Sequence, residues 1–158
     1  MNYSIFNDCQ ANRLQGETDQ GHMERIFTEC MMGTPEDSKG INDMLAAKLA
    51  DCSVKERFLV LEYEVKDWML NPAHMLHGGI MSTCCDMTMG MLARYLTQSQ
   101  RCVTVNLNVN FLLGVDAGRT ILVKAKAEKQ GKRVQFLSAQ IFDKETGRQA
   151  VDCTAVFM

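Results

Sequence analysis

Apolar residues at Met23, Ile26, Phe27, Cys30 and Met31 fall 3, 1, 3 and 1 positions apart, the stripe of one helix face. Gly33-Thr34-Pro35 stops that helix, and a second short one is expected over Ser38 to Leu49, with Ile41, Met44, Leu45 and Leu49 on one side. From Val54 to Met69 the period changes to two: Leu59, Leu61, Tyr63 and Val65 alternate with Val60, Glu62, Glu64 and Lys66, a strand with one buried face. Asn71-Pro72 breaks it. Gly78 to Thr97 then reads as a helix that is apolar almost all round, with Asp86 its only acid or base before Arg94. Such a helix must be buried.

The rest of the chain is expected to be β. Val103, Val105, Leu107, Val109 and Phe111 alternate with Thr104, Asn106, Asn108 and Asn110. Strands follow over Thr120 to Gln130, Val134 to Asp143 and Gln149 to Met158, separated by turns at Gly114 to Gly118, Gly131-Lys132 and Lys144 to Gly147. Short turns force antiparallel neighbours, and a sheet that must cover one apolar helix curls around it. The expected class is α+β, with the helix held in the sheet. Residues 1–52 are expected to form a polar arm and two short helices, and 53–158 a single domain.

Composition narrows the functional classes. The chain has 158 residues, with 17 basic and 19 acidic side chains, which removes the bulk electrostatic case for a nucleic-acid or polybasic membrane binder. Residues 1–21 lack a basic start followed by an apolar run, and no uncharged apolar stretch reaches membrane-spanning length. Seven cysteines, two of them adjacent at Cys84-Cys85, do not look like a disulfide framework. A reduced, soluble, cytoplasmic protein is the expectation. His74-x2-His77 and Cys84-Cys85-Asp86 supply metal donors, but there is no CxxC pair and no HExxH, so no metal site is expected. The twelve methionines, several on the central helix, read as adaptable core filling.

Chemistry concentrates between Asn71 and Asp86. A carboxylate inside an apolar helix costs several kcal/mol unless it is paired, hydrogen-bonded or wetted; Asp86 is therefore either a structural, partly exposed residue or a working one. His77-Gly78-Gly79 marks the passage from loop to helix. Two glycines there weaken helix propensity. They serve either a tight turn with close packing or the approach of a substrate oxygen to the free N–H groups of a helix start, an oxyanion hole. Gly78 and Asp86 are separated by roughly 12 Å of helix rise, too far to serve one carbonyl within one chain. Two antiparallel copies of the helix about a two-fold axis would bring one chain's Asp86 opposite the other's Gly78.

Asn71-x5-His77-Gly78-Gly79, Asp86 seven residues after Gly79, and the strand Val103 to Phe111 together resemble the PaaI-like acyl-CoA thioesterases of the hotdog fold. The resemblance spans about residues 54–158. It implies an antiparallel sheet wrapped around the central helix, in homodimers that often pair into tetramers. It also implies hydrolysis of acyl-CoA, with coenzyme A part of the substrate and no cofactor. By position, Gly78 N–H would polarise the thioester carbonyl, with Asn71 and His77 shaping the loop. Asp86 of the partner subunit would be general base or nucleophile, and Thr104 would help to orient the water. Gly79, Lys132 and Arg133 are the positions expected at the coenzyme A portion; the last two share a turn in the basic stretch 119–133. His74 departs from the family pattern, which usually has Gly there, and puts substrate preference in doubt. The rival reading is a non-catalytic acyl-CoA-binding or regulatory protein on the same fold.

Overall fold

The computed structural model describes residues 12–31, 40–98 and 102–158. Its elements are α1 (Asp19–Met31), α2 (Ile41–Leu45), β1 (Lys48–Ser53), β2 (Phe58–Glu64), a 3-10 turn (Asp67–Met69), α3 (Gly78–Thr97), β3 (Thr104–Phe111), β4 (Thr120–Gln130), β5 (Gln135–Asp143) and β6 (Gln149–Phe157). The six strands form one sheet in the order β1-β2-β4-β5-β6-β3, and every neighbouring pair is antiparallel. α3 packs against β2, β3, β4, β5 and β6. This is the expected hotdog arrangement, a curled sheet around one apolar helix.

The helix is apolar on most sides because most of its sides are covered. Met81, Cys84, Cys85, Met89 and Leu92 are all buried, against Leu61, Val123, Ala139 and Cys153 from the strands. One polar link pins helix to sheet: the buried Tyr63 hydroxyl of β2 lies 2.8 Å from Thr88 Oγ1, which itself donates to the Cys84 carbonyl at 2.7 Å. A polar pair fully satisfied in the core fixes the rotation of α3 as well as its depth.

The N-terminal region differs from the sequence expectation. The helix expected over Ser38 to Leu49 ends at Leu45, where Ala46 takes a left-handed conformation (φ 49°). Lys48–Ser53 is instead a strand paired with β2. Its residues alternate too weakly to read as one, because β1 is an edge strand with a bulge between Leu49 and Asp51. The division at residue 52 therefore falls inside a strand of the sheet. The expected strand over Val54 to Met69 is likewise confined to Phe58–Glu64, followed by the 3-10 turn. Residues 1–11 of the arm, Gly33-Thr34-Pro35 and the expected helix start at Ser38 lie outside the described residues.

α1 buries Met23, Ile26 and Phe27 completely, and its approach is held by an ion pair. Arg25 Nε donates to Glu17 Oε1 at 2.7 Å and Nη2 to Oε2 at 3.2 Å, while His22 Nδ1 lies 3.0 Å from Oε2. Arg25 holds the Glu17 carboxyl down, from an ordinary 4.5 to about 2. The unfolded chain binds this proton more readily than the folded one. The contribution is thus in place above the ordinary value and is lost as pH falls through the folded one. Stability in chemical denaturation should fall as pH drops from about 4.5 towards about 2, and Glu17→Gln should flatten that limb. It should not abolish it, because Asp143, accepting from the Thr146 and Glu145 N–H groups, is also held low.

Candidate active site

The loop before α3 is organised by Asn71. Its Oδ1 accepts from the N–H groups of Ala73 (2.9 Å) and Met75 (3.2 Å), and its own N–H donates to the Met75 carbonyl at 2.8 Å. The loop is tied to its neighbours by Leu76 N–H to the Val115 carbonyl at 2.7 Å and His77 N–H to the Met69 carbonyl at 2.9 Å. His77 then caps the helix: extended backbone (φ −64°, ψ 133°), Nδ1 accepting from Gly79 N–H at 2.9 Å, and its carbonyl accepting from Ile80 and Met81. Three of the first four amides of α3 are thereby used. Gly78 N–H donates to no group among the described residues, and Gly78 lines a groove with Asn71, Met75, Phe111 and Leu112. An unspent donor at the positive end of a helix is an anion or oxyanion site in waiting.

The two glycines have separate reasons to be glycine. A Cβ at Gly78 would meet Phe111 Cζ at 3.2 Å, and one at Gly79 would meet His77 Nδ1 at 3.0 Å. Gly79 makes room for the cap and Gly78 for Phe111.

His74 adopts a left-handed conformation, φ 58°. That accounts for the departure noted in the sequence: this turn is built for glycine, and a side chain there is strained by about 1–2 kcal/mol. His74 is exposed and does not line the groove at Gly78, so it does not narrow that groove within one chain. His74→Val, which is β-branched, should lose about 1 kcal/mol or more of stability. His74→Gly should lose none. Urea midpoints of the two variants check this.

Asp86 is half-buried on α3 and is paired: Thr104 Oγ1 donates to Asp86 Oδ1 at 2.7 Å. Simple alternation places Thr104 on the same face of β3 as Asn106, Asn108 and Asn110. Those asparagines pair with Val156, Thr154 and Asp152 and face outward. Thr104, however, pairs with the buried Phe157, because the register shifts between Thr104 and Asn106. The extra residue turns Thr104 onto the helix side of the sheet, as bulges beside functional sites do. Asp86 and Thr104 open onto a second groove, with Thr83, Met87 and Cys102 among its walls.

The structure therefore brings Asp86 to Thr104, and Asn71 and His77 to Gly78 and Gly79, but the two groups line grooves that share no residue. Lys132 and Arg133 are exposed in the β4–β5 turn, which Gly131 N–H closes on the Val134 carbonyl at 2.9 Å. That turn lies at the opposite end of α3 from Gly78: Gln130 Nε2 donates to the Leu96 carbonyl. Within one chain neither basic residue is beside the Gly78 or the Asp86 group.

Sequence reasoning passed over Phe111 as a strand residue and Arg94 as a helix-end charge. Phe111 lies against Gly78, and Arg94 lines the Asp86 groove. The spacing of Asp86 and Arg94, eight residues apart on one helix, was the available signal for the second.

Residues 73–150 match the thioesterase superfamily. Acyl-coenzyme A thioesterase 13 of Mus musculus is 27% identical over 106 residues, 67% of this chain and 76% of that protein. Among solved structures, zebra fish thioesterase superfamily member 2 superposes with a TM-score of 0.73 at 23% identity, over 89% of this chain and 97% of that one. The E. coli PaaI protein of the phenylacetic acid degradation operon gives 0.65 at 21%, over 73% and 84%. The two structural likenesses establish the fold, and the matched domain contains His77-Gly78-Gly79, Asp86 and Thr104. Residues 73–150 are thus similar to the thioesterase superfamily, and the chain shares the hotdog fold of these solved structures.

Proposed function

We propose that the protein hydrolyses acyl-CoA thioesters to a free acid and coenzyme A, in a site completed by a second copy of the chain. The observation that carries this is the Thr104–Asp86 pair at 2.7 Å, opening onto a groove from the middle of an otherwise apolar helix. A carboxylate so placed can take a proton from water or attack a carbonyl itself. Gly78 N–H is the complementary part, a donor for the oxygen that becomes negative as the carbonyl turns tetrahedral.

As general base, Asp86 removes a proton from a water held by Thr104 as that water adds to the thioester carbon. The tetrahedral intermediate, its oxygen on Gly78 N–H, collapses with cleavage of the C–S bond, and the thiolate of coenzyme A recovers the proton. As nucleophile, Asp86 displaces the thiolate to give a mixed anhydride that water then opens. Both routes need Asp86 and Gly78 on one substrate, so both need two antiparallel copies of α3, whose separation of roughly 12 Å along each helix makes the two sites equivalent. Lys132 and Arg133 are the candidates for the phosphates of coenzyme A, reached from the partner's side. The exposed β3 edge, with Val103 and Val105 each more than half exposed, is a surface suited to the second copy.

Purified protein offered aromatic, branched and straight-chain acyl-CoAs with a thiol reagent should release coenzyme A, and size-exclusion chromatography should give at least a dimer. Binding without release across the panel would favour a regulatory acyl-CoA binder, and an active monomer would end the shared-site reading. No helix among the described residues is long and apolar enough to cross a membrane.

A further inference from the structure

The groove that starts at the Thr104–Asp86 pair runs along one face of α3, past Met87, Gly90 and Met91 to Arg94. These positions form one continuous stripe of the helix. Glycine is unfavourable inside a helix, yet Gly90 lies well within the 20 residues of α3. Met89 and Met91 on either side of it are buried, whereas Gly90 is half-buried, so its bare backbone faces the groove. A Cβ at Gly90 would meet Phe157 Cε1 at 3.3 Å. Phe157 forms the opposite wall, is 1% exposed, and is the β6 partner of Thr104. Its ring is therefore anchored beside the Thr104–Asp86 pair and has little room to give. The far end of the groove is closed by Arg94, 8% exposed and already engaged elsewhere in the structure. An apolar chain end stops short of that permanent, buried charge.

We propose that this groove receives the acyl chain and that Gly90 and Phe157 limit its length to about eight carbons, making medium-chain acyl-CoAs the preferred substrates. This deepens the thioesterase reading above and rests on it. The groove holds about 200 Å³. A cavity of about 150 Å³ takes benzene, a six-carbon ring, so this one takes roughly eight carbons. Gly90 lies roughly 6 Å along the helix from Asp86, and Arg94 roughly 12 Å. The first carbons beyond the carbonyl pass Met87, and the chain then threads between Gly90 and Phe157 before it meets the charge. Met87 and Met91 adapt their side chains to it. Close packing of α3 on β6 also favours a glycine there, but that role is indifferent to the length of a substrate.

The test measures kcat/KM for butanoyl-, hexanoyl-, octanoyl-, decanoyl- and dodecanoyl-CoA. In the wild type each added methylene should raise it by about threefold to fourfold until the groove is full, near eight carbons. Longer chains should gain nothing further. Gly90→Ala adds one methyl at the narrowest point, and the octanoyl-to-butanoyl ratio should fall by about tenfold or more. Alanine is the best helix former, so this variant should fold. Phe157→Leu should move the limit upward and raise the decanoyl-to-octanoyl ratio; if it does not fold, Gly90→Ala decides alone. A profile that climbs through dodecanoyl-CoA, ratios unmoved in the variants, or an equal loss at every length in Gly90→Ala overturns the length limit and leaves the thioesterase reading standing. Turnover of aromatic or branched acyl-CoAs alone does the same. Turnover of no acyl-CoA removes both.

Discussion

Asp86→Asn should give a folded protein whose release of coenzyme A is slower by about 10²-fold or more, the range for losing a general base. The substitution is nearly isosteric, and Thr104 Oγ1 can still donate to the amide oxygen in place of the carboxylate at 2.7 Å. The side chain is only half-buried, so little packing changes, and the melting temperature should stay close to that of the wild type. What is lost is the capacity to take a proton or to attack. KM should move far less than kcat, since the groove keeps its shape. Turnover within a few-fold of the wild type would remove Asp86 from the chemistry altogether. A single turnover in isotopically labelled water tests the two roles left to it: a nucleophile whose anhydride is opened at Asp86 Cγ passes an unlabelled oxygen from its own carboxylate into the first acid released, whereas a base puts labelled oxygen there.

Gly78→Pro should have an effect of similar size for a different reason. Gly78 is the first residue of α3, the position at which proline is most at home in a helix. The residue before a proline must be extended, and His77 already is, at φ −64° and ψ 133°. The substitution therefore deletes one N–H and leaves the cap, the Gly79 N–H to His77 Nδ1 bond and the helix in place. Phe111, exposed over 55% of its surface, can swing away from the added ring. Loss of one oxyanion donor should reduce kcat by about 10²- to 10³-fold. Gly78→Ala separates this from crowding, because it keeps the amide and meets the same Phe111 ring. Equal losses in the two variants would assign Gly78 to packing and leave the helix start without a catalytic part.

Periodicity alone located α3 to the residue, since a helix apolar on nearly every side has no competing reading, and it found β4, β5 and β6 through clean alternation between turns. It failed at β1, where an edge strand with a bulge and two charges in six residues has no regular pattern to detect. It failed again at Thr104, whose side of the sheet depends on one extra residue in β3 that no alternation reveals; only the resemblance to a family gave that residue a part, orienting the water, and the structure puts it beside Asp86. Asn71 and His77 were legible as loop residues, but their hydrogen-bond economy was not, because the same donors and acceptors could have been met by water. The left-handed backbone at His74 was visible only as an unexpected residue type, and its φ of 58° supplies the missing cause.

The two rims of the sheet are not treated alike. β1 is short, bulged, carries Lys48 and Asp51, and has α1 packed on it, all devices that discourage another strand. β3 is longer, is bulged only at its first residues, carries no charged side chain, and ends in an exposed run of Phe111 and Leu112. On the two-fold reading, the same rim decides both whether the chain persists and whether it works, because an unmated β3 is at once a sticky edge and half an active site. Abundance then becomes a control on the enzyme. Specific activity should rise with protein concentration until the rims are occupied, and a cell that halves its supply of the chain would lose more than half of its catalysis.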